Sequence, residues 1–259
     1  MASQLNKEQN TETVPEKLTI CAVHGAWHGD WCWNYLKPEL EALGHRVITP
    51  NLPIETTANF DDYAEVVAEE LVAESAESVV LVGHSMSGNV ITRVPHLLTA
   101  DLGQVAIVKN IYLAASIDER TVGWLPPSEL EDLPDKNTLM YKIGTIGLEG
   151  DNTKFNREFA KDVFYPDCSE EVAEWAVGML RTQMRSDDQT IIKTLPNVRV
   201  EYIKTTRELV FTREWEDEVA RWLGIAEDEI QEIYSSHSPM LSRVKILAPM
   251  LSKSAQTDK

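Results

Sequence analysis

The chain has 259 residues, a formal net charge of −18 and a pI near 4.7. This length, with 43% apolar residues, is enough to bury the core of one large α/β domain. The acidic charge excludes nucleic acid and anionic membrane surfaces as expected partners, because both are bound through clustered Lys and Arg.

The termini and the cysteines bear on location. Residues 1–16 lack an apolar run of signal-peptide length, and no window approaches the ~20 apolar residues of a membrane helix. We expect 1–16 to be a disordered extension and 253–259 a flexible tail. The three cysteines cannot all pair within one chain, which favours reduced thiols and a cytoplasmic location.

Short apolar runs alternate with longer helical patterns, which is typical of a mostly parallel central sheet flanked by helices. Residues 17–116 and 196–252 form the predicted core, and residues 61–74 a helix with Asp61 or Asp62 as N-cap. The predicted strands are 18–25, 45–52, 78–85, 108–116, 198–206 and 230–236.

Residues 117–195 interrupt this alternation and are too long for a simple loop, so we predict an inserted helical cap. Ser169 and two acidic residues precede an apolar stripe at helical spacing. The stripe either packs the cap onto the core or lines a substrate pocket. Its members are Val172, Trp175, Ala176, Met179 and Leu180.

The strand at 78–85 ends in the sequence GHSMSG, which is typical of a nucleophile at a sharp strand-to-helix turn. Such a turn needs small neighbours, and Gly83 and Ser87 flank Ser85, although the strict pattern has Gly in place of Ser87. The N–H of Met86, at the start of the next helix, is a candidate oxyanion donor.

The first strand runs into HGAWHGDWCW, a turn expected to face Ser85, and Ala26 N–H is the second candidate oxyanion donor. His24 and His28 lack a full set of metal ligands, so no metal site is predicted. After the last strand, His237 is in place to act as general base, and Pro239 opens a terminal helix.

The acid that orients His237 is expected to follow a strand at the same sheet edge. Glu208 follows strand 198–206, and Asp118 follows strand 108–116 as the alternative. Three further histidines are not expected to take part in catalysis. His84, next to Ser85, is predicted to be structural, and His45 and His96 are predicted to be surface or packing residues.

Together, VHGAWHGDWCW, GHSMSG and SSHSPMLSR resemble the α/β-hydrolase superfamily over residues 18–251, in the branch of plant methyl-ester esterases, plant hydroxynitrile lyases and related bacterial esterases. Residues 162–183 also resemble the cap segment of the bacterial members. The family usually has Asp at the acid position, where this chain has Glu208.

The resemblance implies an α/β-hydrolase fold and cleavage of a carboxylic ester of a small, largely apolar substrate through an acyl-enzyme on Ser85. His237 and Glu208 would complete the triad, with no cofactor. A homodimer is compatible with the sequence. The expected substrate pocket is lined by His24, Gly25, Trp27, Trp124 and Trp175, with Trp31 and Trp33 as further candidates.

Three alternatives stay open on this scaffold. One is a hydroxynitrile lyase, although those lyases carry Lys directly after the catalytic His, where this chain has Ser238. Another is a non-catalytic small-molecule receptor, because a fold does not dictate function. The third is a cofactor-free oxygenase.

Overall fold

A six-stranded parallel sheet lies at the centre of the computed structural model, which describes residues 18–98, 105–117, 148–149, 152–153, 157–184, 195 and 197–256. In spatial order, its strands are Arg46–Ile48 (β2), Thr19–Val23 (β1), Ser78–His84 (β3), Ala106–Leu113 (β4), Arg199–Thr205 (β8) and Gln231–Ile233 (β9). The strands are numbered in chain order, and β5 to β7 belong to a second, smaller sheet.

All six strands predicted from the sequence are present in this sheet. The α/β-hydrolase fold expected from the resemblance is confirmed in its parallel sheet and flanking helices. Central strands are buried on both faces, as apolar runs such as Val79–Val82 require. Val80 and Val82 pack into one core cluster, whereas Val79 and Leu81 pack into the other across the sheet.

Helices cover both faces of the sheet. The helices of the first half are α1 (Leu36–Ala42), α2 (Phe60–Ala73) and α3 (Ser87–Leu97). Those of the second half are α4 (Arg157–Phe164), α5 (Glu170–Met179), α6 (Arg213–Trp222), α7 (Pro239–Ser242) and α8 (Val244–Gln256). Among the described residues, every helix is too short or too polar to cross a membrane.

The start of α2 corrects one prediction. Its N-cap is Asn59, whose side chain accepts hydrogen bonds from the N–H groups of Asp61 and Asp62 at 2.8 and 2.9 Å. Asp62 in turn accepts from the Asn59 N–H at 2.8 Å. This capping box uses Asp62 as its third helical residue, so the helix begins earlier than either predicted cap.

The predicted cap segment contains more than helices. Ser169, which precedes the apolar stripe, is the N-cap residue of α5 and accepts a hydrogen bond from Val172 N–H. A small antiparallel sheet, which the sequence did not indicate, joins β5 (Leu148–Glu149), β6 (Asn152–Thr153) and β7 (Gln183–Met184).

The predicted flexible tail also needs correction, because α8 continues to Gln256. Ser254 and Ala255 are buried, and Ser254 accepts hydrogen bonds from Lys109 and Gln231. These contacts hold the last turn of α8 against the core. The predicted N-terminal extension lies outside the described residues, and the location and oligomeric state stay predictions.

Candidate active site

Ser85 lies on a strained turn between β3 and α3. Its φ of 55° is in the left-handed region, which costs a residue with a side chain about 1–3 kcal/mol. Neighbouring backbone holds the turn: Ser85 N–H donates to Leu113 C=O at 3.2 Å, and Ser85 C=O accepts from Gly88 N–H and Ser116 N–H at 3.1 and 2.9 Å. The end of β4 therefore holds the conformation that presents Ser85 at the carboxyl edge of the sheet.

Two positions around this turn require glycine, because neighbouring atoms lie too close for a side chain. A Cβ added to Gly88 would lie 2.2 Å from Ser116 O, and one added to Gly25 would lie 2.9 Å from Ser85 Cβ. Neither position has room for a side chain, so the turn after β1 and the turn after β3 pack directly together.

Ser87, where the strict pattern has glycine, has a structural explanation. Its side chain is fully buried and its hydroxyl donates a short hydrogen bond to His24 C=O. The serine thus connects the start of α3 to the end of β1.

The two candidate oxyanion donors follow neighbouring strands. Ala26 follows β1, and Met86 is the N-cap residue of α3. Neither N–H donates a hydrogen bond to another described residue. Both groups lie at the same edge of the sheet as Ser85, because β1 and β3 are parallel neighbours.

His237 and Glu208 form a buried pair. The Nδ1 of His237 lies 2.8 Å from Oε2 of Glu208, and the two side chains are 1% and 4% exposed. Glu208 also accepts hydrogen bonds from Thr205 Oγ1 at 2.7 Å and from the N–H groups of Leu209 and Val210 at 2.9 and 2.7 Å. A proton on Nδ1 satisfies the carboxylate and leaves Nε2 as the basic nitrogen of the neutral ring.

Backbone hydrogen bonds bring the two loops of this pair together. Thr206 N–H donates to Ile233 C=O at 3.0 Å, and Arg207 N–H donates to Ser235 C=O at 2.9 Å. The pairing of β8 with β9 therefore continues past both strand ends, which places Glu208 beside His237.

The electrostatics favour an ionised Glu208. Burial acts to raise the pKa of Glu208, but the nearby His237 and the hydrogen bonds to the carboxylate lower that pKa below its ordinary value overall. Behind it, Glu216 is also buried, and burial together with the charge of Glu208 raises the pKa of Glu216 to about 9. One carboxyl is thus charged and its buried neighbour neutral near pH 7.

His84 supports the loop of His237, in keeping with its predicted structural role. His84 Nε2 donates to His237 C=O at 2.8 Å, and the two ring centroids are 4.7 Å apart. Burial lowers the pKa of His84 well below its ordinary value, so this ring is neutral. Phe164 and Phe211 lie 5.7 and 5.5 Å from the His237 ring and limit its movement.

His24, predicted to line the substrate pocket, is held by backbone hydrogen bonds, and its pocket-lining role stays a prediction. It is fully buried; its Nδ1 donates to Gly25 C=O at 2.9 Å and its Nε2 accepts from Leu52 N–H at 3.0 Å. Burial lowers the pKa of His24 to about 3. Among the described residues, no group of three or more His, Cys, Asp or Glu side chains is arranged to hold a metal ion.

The tryptophans divide into two groups. Trp27 is half-buried beside the site, 6.2 Å from the Phe164 ring. Trp175 instead packs edge-on against Trp31 at 5.4 Å, and Trp31 and Trp33 are buried in the core. Packing accounts for the positions of these three residues, and their pocket-lining role stays a prediction. Trp124 and the alternative acid Asp118 lie outside the described residues.

The two other histidines that the sequence left out of the site occupy different environments. His45 is buried and its Nε2 contacts Ser252 Oγ at 2.8 Å, as expected of a packing residue. His96 lies near the end of α3, away from the carboxyl edge of the sheet.

Sequence reasoning missed four polar side chains from the predicted cap that contact the loops of the site. Arg181, for example, donates to the backbone of His28 and Leu52 and forms an ion pair with Glu55. No local pattern marks such residues, because their partners are distant in the sequence. The four are Tyr165, Asp167, Arg181 and Gln183.

A family model described as the alpha/beta hydrolase family matches residues 22–249. The chain belongs to this family. Methylesterase 9 of Arabidopsis thaliana is 30% identical over 141 residues, covering 49% of this chain and 52% of that protein. The alpha-hydroxynitrile lyase of Arabidopsis thaliana is 33% identical over 117 residues, covering 42% and 43%. The chain therefore matches about half the length of these relatives.

Solved structures agree on the fold over nearly the whole chain. The crystal structure of polyneuridine aldehyde esterase superposes with a TM-score of 0.71 at 22% identity, covering 93% of this chain and all (100%) of that one. These similarities confirm the predicted branch of the α/β-hydrolase superfamily.

Proposed function

We propose that this protein is a serine hydrolase that cleaves a carboxylic ester of a small, largely apolar substrate. The observation that carries the proposal is the buried Glu208 to His237 hydrogen bond at the same sheet edge as the strained Ser85. The similarity to esterases of the same family supports ester hydrolysis as the reaction.

In the proposed mechanism, His237 removes the proton from Ser85 Oγ as that oxygen attacks the ester carbonyl carbon. Glu208 holds the Nδ1 proton and stabilises the imidazolium that forms. The N–H groups of Ala26 and Met86 donate to the carbonyl oxygen as it becomes an oxyanion. Collapse of the tetrahedral intermediate expels the alcohol, which takes the proton from His237, and leaves an acyl group on Ser85.

Water completes the cycle. His237 removes a proton from the water that attacks the acyl-enzyme. As the resulting intermediate collapses, the carboxylic acid leaves and His237 returns the proton to Ser85 Oγ. The proposed chemistry uses residues of the chain alone.

The proposal assigns residues 117–195 as a cap above this site. Contacts from this segment support the assignment, since Tyr165 OH lies 2.7 Å from His28 Nε2 and Arg181 N–H donates to Trp27 C=O at 2.8 Å. Trp27 and Phe164 would give the substrate an apolar surface, since their ring centroids are 6.2 Å apart and the Phe164 ring lies 5.7 Å from that of His237.

A hydroxynitrile lyase is the second candidate, because one relative carries that name. The resemblance associates that activity with a Lys directly after the catalytic His, to hold the developing cyanide. Here the residue is Ser238, which is fully buried and uncharged. Ester hydrolysis is therefore the better supported reaction.

The test is hydrolysis of p-nitrophenyl acetate and butyrate by the wild type and Ser85→Ala, with mass spectrometry after a fluorophosphonate probe. Ser78→Ala is the matched control, because Ser78 is exposed at the opposite end of β3. We expect turnover and a covalent adduct in the wild type and the control, and neither in Ser85→Ala.

Other outcomes would identify the alternatives. Cyanide release from mandelonitrile without ester turnover would indicate the lyase. Ligand binding without turnover would indicate a receptor, and oxygen consumption with an aromatic substrate an oxygenase. A folded wild type that neither hydrolyses the esters nor reacts with the probe would overturn the proposed function.

A further inference from the structure

Gln183 of β7 connects the two segments that carry the candidate oxyanion donors. Its Oε1 accepts a hydrogen bond from Trp27 N–H at 3.0 Å, and its Nε2 donates to the sulfur of Met86 at 3.1 Å. The side chain is buried. One amide group from the predicted cap therefore touches the residue after Ala26 and the side chain of Met86 itself.

The peptide group between Ala26 and Trp27 is held at both of its polar ends. Trp27 N–H donates to Gln183, and Ala26 C=O accepts from His28 Nδ1 at 2.6 Å. His28 is oriented in turn by Tyr165, whose OH lies 2.7 Å from His28 Nε2. The rotation of this peptide group, and with it the course of the chain around the Ala26 N–H, depends on these contacts.

This turn has a particular need for support. Trp27 has a φ of 58°, a conformation that is costly for a residue with a side chain and persists only where surrounding contacts hold it. Arg181 N–H and Gln183 Oε1 engage the C=O and the N–H of Trp27 respectively. Both contacts come from the segment after α5, and neither comes from the central six-stranded sheet.

We propose that Gln183 is a positioning residue that keeps the N–H groups of Ala26 and Met86 in the relative geometry an oxyanion requires. The inference rests on the proposed function, which assigns those N–H groups their role. Donors stabilise a developing charge only when they are already oriented toward it, and a misplacement of about 1 Å can cost about 100-fold in rate. Loss of Gln183 should therefore lower kcat more than it changes KM.

The first experiment compares the wild type with Gln183→Leu in p-nitrophenyl butyrate hydrolysis. We expect kcat and the rate of fluorophosphonate labelling to fall about 10- to 100-fold, with KM within about 2-fold of the wild type. Gln231→Leu is the matched control, since Gln231 also makes two side-chain hydrogen bonds, to Glu201 and Ser254. That control should lose thermal stability but keep its kcat.

Gln183→Glu gives a second measurement, the pH dependence of kcat, which a change in packing alone would not alter. This variant also preserves the shape of the side chain, so it can be used if Gln183→Leu fails to fold. The introduced carboxyl still accepts from Trp27 N–H. Once ionised, it places a negative charge beside the proposed oxyanion site. We expect the ratio of its kcat to that of the wild type to fall as pH rises from 5 to 9.

The outcomes separate the inference from the proposed function. An active wild type with unchanged kcat in Gln183→Leu, or a pH-independent ratio in Gln183→Glu, would overturn the positioning role and leave the hydrolase proposal intact. A wild type without turnover or labelling would overturn the proposed function and the inference together.

Discussion

Asp167 holds Ser236, the residue immediately before His237. The Asp167 carboxylate accepts one hydrogen bond from Ser236 N–H at 3.1 Å and a shorter one from the Ser236 hydroxyl. Arg243 lies 3.2 Å from the same carboxylate. A residue of the predicted cap thereby contacts the loop that carries the proposed base.

Asp167→Asn should weaken this support. The amide keeps the shape of the side chain but removes the charge that pairs with Arg243 and one acceptor for Ser236. We expect the free energy of unfolding to fall by about 1–3 kcal/mol, as for buried partners left unsatisfied, and kcat to fall severalfold. Urea denaturation and ester hydrolysis measure the two effects.

The control for that change is Asp162→Asn, because Asp162 is exposed on α4. It should leave both quantities unchanged within error. Equal behaviour of the two variants would show that Asp167 does not support the loop of His237.

Glu208→Gln should lower kcat by about 10⁴-fold, the order of the loss when a triad acid is replaced by its amide. The amide can present its NH₂ to Nδ1, which favours the tautomer with the proton on Nε2 and removes the base. Glu232→Gln is the control, because Glu232 is exposed on β9 and paired only with Arg213 at the surface among the contacts described. Near-normal turnover in Glu208→Gln with an inactive Asp118→Ala would instead assign the acid role to Asp118.

Gly88→Ala should destabilise the fold severely, because the added Cβ would lie 2.2 Å from Ser116 O and both groups are held by backbone. Gly178→Ala is the opposite case: a Cβ there meets nothing within 4 Å, and Gly178 lies inside α5. We expect the second change to stabilise the protein by up to about 1 kcal/mol through helix propensity. Urea denaturation measures the stability of both variants. A Gly88→Ala variant as stable as the wild type would contradict the expected clash with Ser116 O.

Glu216→Gln should alter the pH dependence of stability. With a pKa of about 9 in the folded protein and an ordinary value near 4.5, Glu216 binds a proton that the unfolded chain has lost between these pH values. The wild type therefore loses stability as pH rises through this window, by at most about 1.4 kcal/mol per pH unit from this group. The amide in the variant cannot ionise, so its free energy of unfolding lacks this pH-dependent loss.

The measurement is the difference in unfolding free energy between Glu216→Gln and the wild type at pH 5, 7 and 8.5. We expect the variant to gain relative stability as pH rises. Glu214→Gln, at an exposed position of the same helix, should show a constant difference. A constant difference for Glu216→Gln as well would mean that the buried carboxyl is ionised.

Much of the core was predictable because its signals are local. The β-branched run before Ser85 is long and apolar enough to require a buried strand, and the small residues around Ser85 indicate the turn that follows. The position of His237 followed from chain order once the last strand was located. By contrast, the N-cap at Asn59 was missed because two aspartates beside it offered equally good caps.

The sequence by itself determined the strands, the fold class and the candidacy of Ser85 and His237, because each depends on residues close together in the chain. Only the tertiary structure decided that Glu208 lies against His237, 29 positions away, and that Gln183 reaches Trp27 across 156 positions. Burial and side-chain hydrogen bonding set those contacts. They arise only when the parallel strands bring distant loops to one edge of the sheet, so no local pattern of residues encodes them.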